Sequence, residues 1–131
     1  VGDSVTRREA RERVIELIYE AQARDETVAQ LLESQSVDVD DFVVELVTAT
    51  ENEHEMSLKQ ISEKSEDWAV SRMPMMDVII MRVAIAELNN GSTPTGVVLS
   101  EAVKLATEYS TERSGKFVNG ILSAIASDID S

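Results

Sequence analysis

Three features of this 131-residue sequence predict an all-α fold. Apolar residues recur at the three- and four-residue spacing that lines one face of a helix. No stretch sustains the two-residue alternation of a half-buried strand. Helix start and turn signals punctuate the chain at Thr6, Pro74, Asn89-Asn90-Gly91-Ser92 and Thr93-Pro94. A hydrophobic content of 43% supports one core, so the chain reads as a single domain, with halves of about 1–70 and 71–131 divided at the Trp68 to Pro74 junction.

The first helix is predicted from about Arg7 to Ala23, because Thr6 followed by Glu9 has the spacing of a capping box. A short helix follows around Thr27 to Glu33, then a polar segment from Ser34 to Val37. One long helix is expected from near Val39, capped by Asp38, to near Trp68, burying Phe42, Val43, Leu46, Val47, Met56 and Ile61. Pro74 is suited to a helix start, where its missing N–H is no loss. From Val78 to Leu88 the next helix is apolar nearly all round, interrupted mainly by Arg82 and Glu87, and is expected to be the central buried element. Arg82 is expected in a buried or interfacial ion pair. A helix from Thr93-Pro94 buries Val98, Ala102, Leu105, Ala106 and Tyr109, and a last one from about Ser114 to Ile125 buries Phe117, Ile121, Leu122 and Ile125. Gly120, costly inside a helix, suggests a close helix approach there.

Charge supplies the functional signal. The net charge is −13, yet Arg7, Arg8, Arg11 and Arg13 place a third of the twelve cations on one short stretch. Residues 25–70 carry a net −11, whereas residues 1–24 balance and residues 71–131 carry −2. Only the two ends therefore offer a surface for nucleic acid, and screening over roughly 8 Å lets a local patch act there. On a helical wheel Ala10, Val14, Leu17 and Ala21 form the core arc, and Arg7, Arg8 and Arg11 share one shoulder with Tyr19. Cations beside an aromatic suit single-stranded RNA, with phosphates neutralised and a base stacked. The competing reading is a salt-bridged face in which Arg8 pairs with Glu12 and Arg13 with Glu9. A second cationic spot, Arg113-Ser114-Gly115-Lys116, precedes the predicted last helix, and Lys116 in a first turn points to an anion there; Phe117 adds a ring beside it.

Other chemistry is poorly supported. The absence of cysteine excludes disulfides, thiolate nucleophiles and cysteine-ligated zinc. His54-Glu55 meets Leu58 where a zinc-protease helix needs a second histidine, and Gly115-Lys116 meets Ser110 where a P-loop needs glycine. Residues 1–20 have no signal-peptide pattern and no segment reads as a membrane span, so a cytoplasmic protein is expected, with no catalytic residues, metal or cofactor. Met73, Met75, Met76 and Met81 are expected to fill core space.

Taken in order along the chain, these residues resemble the bacterial transcription antitermination factor NusB family. The resemblance is carried by Arg7-Arg8-Glu9-Ala10-Arg11-Glu12 with Leu17-Ile18-Tyr19; by Trp68, Arg72, Asp77, Arg82 and Glu87-Leu88; and by Pro94, Glu101-Ala102-Val103, Leu105-Ala106 and Lys116-Phe117-Val118-Asn119-Gly120-Ile121-Leu122. Val78, Ala86 and Ser100 depart from the family pattern. The resemblance implies about seven helices in two small packed bundles and a non-enzymatic role. It further implies binding of boxA-type RNA together with the basic ribosomal protein NusE, in support of the transcription elongation complex on ribosomal RNA. The resemblance maps RNA contact onto Arg7, Arg8 and Arg11, with the Lys116-Phe117 end as a second contact; Tyr19 and Arg113 complete the candidate set. Monomer and homodimer are both compatible with the sequence. The alternative is an acidic helical module that binds a basic protein without touching RNA.

Overall fold

The computed structural model describes residues 6–34 and 40–130. Among them are seven α-helices, one short 3-10 turn and no strand. The first helix, α1 (Arg7–Ala23), begins with the expected reciprocal cap: Thr6 Oγ1 accepts from the Glu9 N–H at 3.0 Å, and Glu9 Oε1 accepts from the Thr6 N–H at 3.2 Å. The cap satisfies two backbone donors that would otherwise lack partners. Thr27 and Gln30 repeat the device at α2 (Val28–Ser34).

The long helix expected next is two helices, α3 (Asp41–Asn52) and α4 (His54–Lys64), broken at Glu53. The break lies beside buried Arg82, whose Nη2 donates to the Glu51 carboxylate at 2.9 Å and faces the Thr50 carbonyl at 3.5 Å. The expected ion pair of Arg82 is thus present. Asp40 caps α3 by accepting from the Phe42 N–H; Asp38 lies outside the described residues. Helix α4 stops at Lys64 rather than Trp68 because Ser65 donates its hydroxyl to the Trp68 carbonyl and turns the chain. Met56, expected inside, is 50% exposed.

Helix α5 (Met75–Asn90) is the central element, with Asp77 and every residue from Ile79 to Leu88 buried. Pro74 stands immediately before it, and Gly91 ends it in the left-handed conformation (φ 76°) that glycine adopts without a Cβ penalty. Helix α5 touches α1, α3, α4, α6 (Thr95–Tyr109) and α7 (Glu112–Ile129), and α4 also meets α7. The buried apolar side chains form one core cluster through all these helices.

The last helix starts two residues earlier than Ser114, because Thr111 caps it by accepting from the Ser114 N–H at 3.0 Å. Glu112 and Arg113 therefore occupy the first turn, and Lys116 sits beyond it. Close approach between α6 and α7 occurs at Gly115, not Gly120. A Cβ on Gly115 would collide with Thr107 Oγ1, whereas one on Gly120 would meet nothing within 4 Å.

Candidate functional site

The arginines of α1 fan out from one helix end to three different neighbours. Arg7 is exposed and lays its guanidinium over the Phe42 ring of α3, 3.8 Å from the centroid. Arg8, half-exposed, bonds Glu108 near the end of α6 and lies 3.9 Å from Glu12. The Glu108 bond, with the charge behind it, raises the Arg8 pKa above its ordinary value. Arg13 lies 3.9 Å from Glu16.

Arg11 corrects its place on the shoulder, being only 5% exposed. Its Nε and Nη2 donate to the two carboxylate oxygens of Glu87 on α5, each at 2.7 Å, and Glu101 stands 3.8 Å away. The bond to Glu87 raises the Arg11 pKa against the opposing effect of desolvation. A forked, buried pair of this kind fixes α1 to α5 and leaves Arg11 little surface to offer a ligand. The wheel placed Arg11 correctly in angle, but α5 and α6 cover that angle at this level.

Tyr109, expected in the core, is instead partly exposed and donates its hydroxyl to Glu12 at 3.0 Å. Partial burial and the Glu12 bond push its pKa up to about 12. The Arg8–Glu108 and Tyr109–Glu12 contacts bring the start of α1 against the end of α6, and Ser110-Thr111 leads from there into α7. The α1 and α7 cations therefore lie on neighbouring elements. Tyr19, farther along α1, is 46% exposed.

Around α7 the remaining candidates divide between its two sides. Arg113 and Phe117 line a cavity of about 630 Å³ together with Trp68, Asp77 and Ser114. Trp68 meets Phe117 edge-on, with centroids 4.9 Å apart. Asp77 Oδ2 accepts the Ser114 hydroxyl at 2.9 Å, and its Oδ1 has no partner among the described residues. An unmatched buried acceptor of this kind costs on the order of 1–3 kcal/mol. Lys116 faces a separate groove between α6 and α7, shared with Lys104, Thr107 and Asn119. Arg113 and Lys116 are exposed and enter no ion pair among the described residues. Sequence reasoning missed the parts that Asp77, Ser110 and Thr111 play here; the Thr111-to-Ser114 capping interval was the available signal.

The described residues hold no cluster of three or more His, Asp or Glu side chains placed to hold a metal ion, and no helix among them is long and apolar enough to cross a membrane.

A NusB family profile matches residues 8–127. A transcription antitermination protein NusB from Thermoanaerobacter sp. strain X514 is 33% identical over 129 residues, covering 95% of this chain and 92% of the relative. The corresponding protein of Kineococcus radiotolerans is 38% identical over 125 residues, covering 92% of each. Among solved structures, NusB of T. maritima superposes with a TM-score of 0.83 at 32% identity, over 95% of this chain and 93% of that one. A structure of antitermination factors NusB and NusE in complex with dsRNA matches with a TM-score of 0.80 at 27% identity, over 93% and 96%.

Proposed function

This chain belongs to the NusB family, and on that premise we propose that it is a transcription antitermination factor that binds boxA-type RNA together with NusE in the cytoplasm, by recognition rather than catalysis. In this reading Arg7, Arg8, Arg113 and Lys116 neutralise phosphates, while Tyr19 and Phe117 offer rings for unstacked bases. Arg11 acts through position: its fork to Glu87 holds the α1 end that carries Arg7 and Arg8. The acidic stretch 25–70 suits a basic protein partner, and the half 71–131 meets the half 1–70 through the packing of α5 on α1, α3 and α4.

The observation that carries this reading is that two exposed cations of α7 enter no ion pair among the described residues, Arg113 beside Trp68 and Phe117 and Lys116 in the groove between α6 and α7, in a protein whose net charge is −13. An acidic chain gains little from leaving two cations unpaired unless an anion joins them.

Fluorescence anisotropy with a short boxA-like RNA and a scrambled control, each with and without NusE, tests the proposal. Four neutralised phosphates give a log–log salt slope of about −3 for a single strand. Tighter binding of the boxA-like RNA, strengthened by NusE, is expected. Salt-independent affinity, or equal binding of both RNAs under both conditions, refutes it.

A further inference from the structure

We propose that Glu108 is an internal stand-in for an RNA phosphate: its carboxylate occupies the Arg8 guanidinium in the free chain and must leave before a phosphate binds there, so Glu108 sets the RNA affinity. The inference rests on the RNA-binding reading and adds to it the residue that competes with RNA.

Four cations carry that reading, and they are not equally available. Arg7 lies over the Phe42 ring, and Arg113 and Lys116 enter no ion pair among the described residues. Arg8 alone of the four has a described carboxylate within hydrogen-bond reach, since its Nη2 donates to Glu108 Oε1. A phosphate that meets Arg8 finds that edge already taken.

The contact is weak beside the other arginine pair that ties α1 to its neighbours. Arg11 grips both oxygens of Glu87 through two bonds of 2.7 Å, with side chains only 6% and 3% exposed. Arg8 engages one oxygen of Glu108 through one nitrogen, and those side chains are 35% and 55% exposed. An exposed pair of that kind contributes little, whereas a phosphate can accept two parallel bonds from a guanidinium. The phosphate therefore displaces the carboxylate, which returns to water.

Glu108 also stands in the last turn of α6, where the helix dipole disfavours an anion and no basic residue of that turn offsets it. Arg8, reaching across from α1, supplies the missing cation. Glu12 plays a different part. Its Oε2 accepts the Tyr109 hydroxyl at 3.0 Å, and its Oε1 lies 3.9 Å from Arg8 Nε, too far for a hydrogen bond. Glu12 thus keeps its place when Glu108 leaves, steadying the Nε side of Arg8 and leaving Nη1 and Nη2 to the phosphate.

The test measures anisotropy of the boxA-like RNA at physiological salt with the full chain, with Glu108→Gln, Glu16→Gln and Arg8→Ala, and with Arg8→Ala and Glu108→Gln combined. Glu16 lies about two turns farther along α1, 3.9 Å from Arg13, so its loss changes the net charge equally without freeing Arg8. Glu108→Gln is expected to tighten RNA binding about three- to fivefold. Glu16→Gln should leave it nearly unchanged, because screening over roughly 8 Å mutes a distant charge. In the Arg8→Ala background the gain from Glu108→Gln should vanish, which is the coupling that a double-mutant cycle isolates. No gain from Glu108→Gln, an equal gain from Glu16→Gln, or a gain that survives Arg8→Ala overturns the proposal and leaves the RNA-binding reading standing. No RNA binding by the unaltered chain or any variant removes both.

Discussion

Replacing Arg11 by alanine separates a positioning role from direct RNA contact. The side chain is 5% exposed, its two donors sit 2.7 Å from both oxygens of Glu87, and the Glu87 side chain is itself almost wholly enclosed. Truncating Arg11 leaves a buried carboxylate with no countercharge, which costs about 3–5 kcal/mol where a buried pair is broken from one side. For a domain of this size that corresponds to a fall in Tm of about 10–20 °C. Urea and thermal unfolding followed by circular dichroism measure it. The pair Arg11→Met with Glu87→Leu removes both charges and should recover most of the loss, because a buried ion pair replaced by apolar side chains is often neutral or better. Arg8→Ala, on the exposed side of the same helix, should lower RNA affinity while leaving Tm almost unchanged. A loss below about 1 kcal/mol for Arg11→Ala, or a double variant no more stable than the single one, refutes the reasoning. A shoulder position for Arg11 would give the opposite signature: weaker RNA binding at unchanged Tm.

Other consequences are as direct. Gly115→Ala should destabilise by about 1–3 kcal/mol through collision with Thr107, and Thr107→Ala in the same chain should relieve part of it; unfolding midpoints without such relief would count against the packing described. Gly120→Ala, with open space around the new methyl, should instead stabilise by about 0.5–1 kcal/mol, as chemical denaturation would register. The Tyr109 pKa is raised from 10.0 to about 12 in the folded chain. Its contribution to stability is therefore complete below about pH 10 and is lost as pH climbs toward about 12. Tyr109→Phe should flatten that part of the alkaline stability profile and remove the late step in tyrosinate absorbance; an unchanged profile would show that Tyr109 does not titrate late.

Much of the fold was legible because local signals and burial agree along most of the chain. The Thr6–Glu9 cap, the all-apolar run of α5 and the Gly91 stop are each decided by residues within a turn of one another. Errors fell where a distant side chain intervenes. The α3–α4 break lies beside Arg82, some thirty positions away, and periodicity along one helix cannot register such a neighbour. Arg11 was misplaced for the same reason, since its partner Glu87 is 76 residues downstream. Lys116 is a different case: the Thr111-to-Ser114 interval is a local signal, and the earlier helix start that it sets places the lysine beyond the first turn. The candidate site was legible in composition, cations and rings at two places. Its cavity was not, because Trp68, Asp77 and Phe117 meet only in three dimensions.

The placement of α5 bears on the order in which the protein is made. Helices α1, α3 and α4 each set an apolar face against a helix that does not begin until Met75. While the ribosome is still translating residues before that point, those faces have only one another to cover them. A nascent chain stalled near Lys64 should therefore remain loosely collapsed and open to chaperones and proteases. The α1, α3 and α4 flank should close once Asn90 has cleared the exit tunnel, and the α6 and α7 flank only after Ile129 follows.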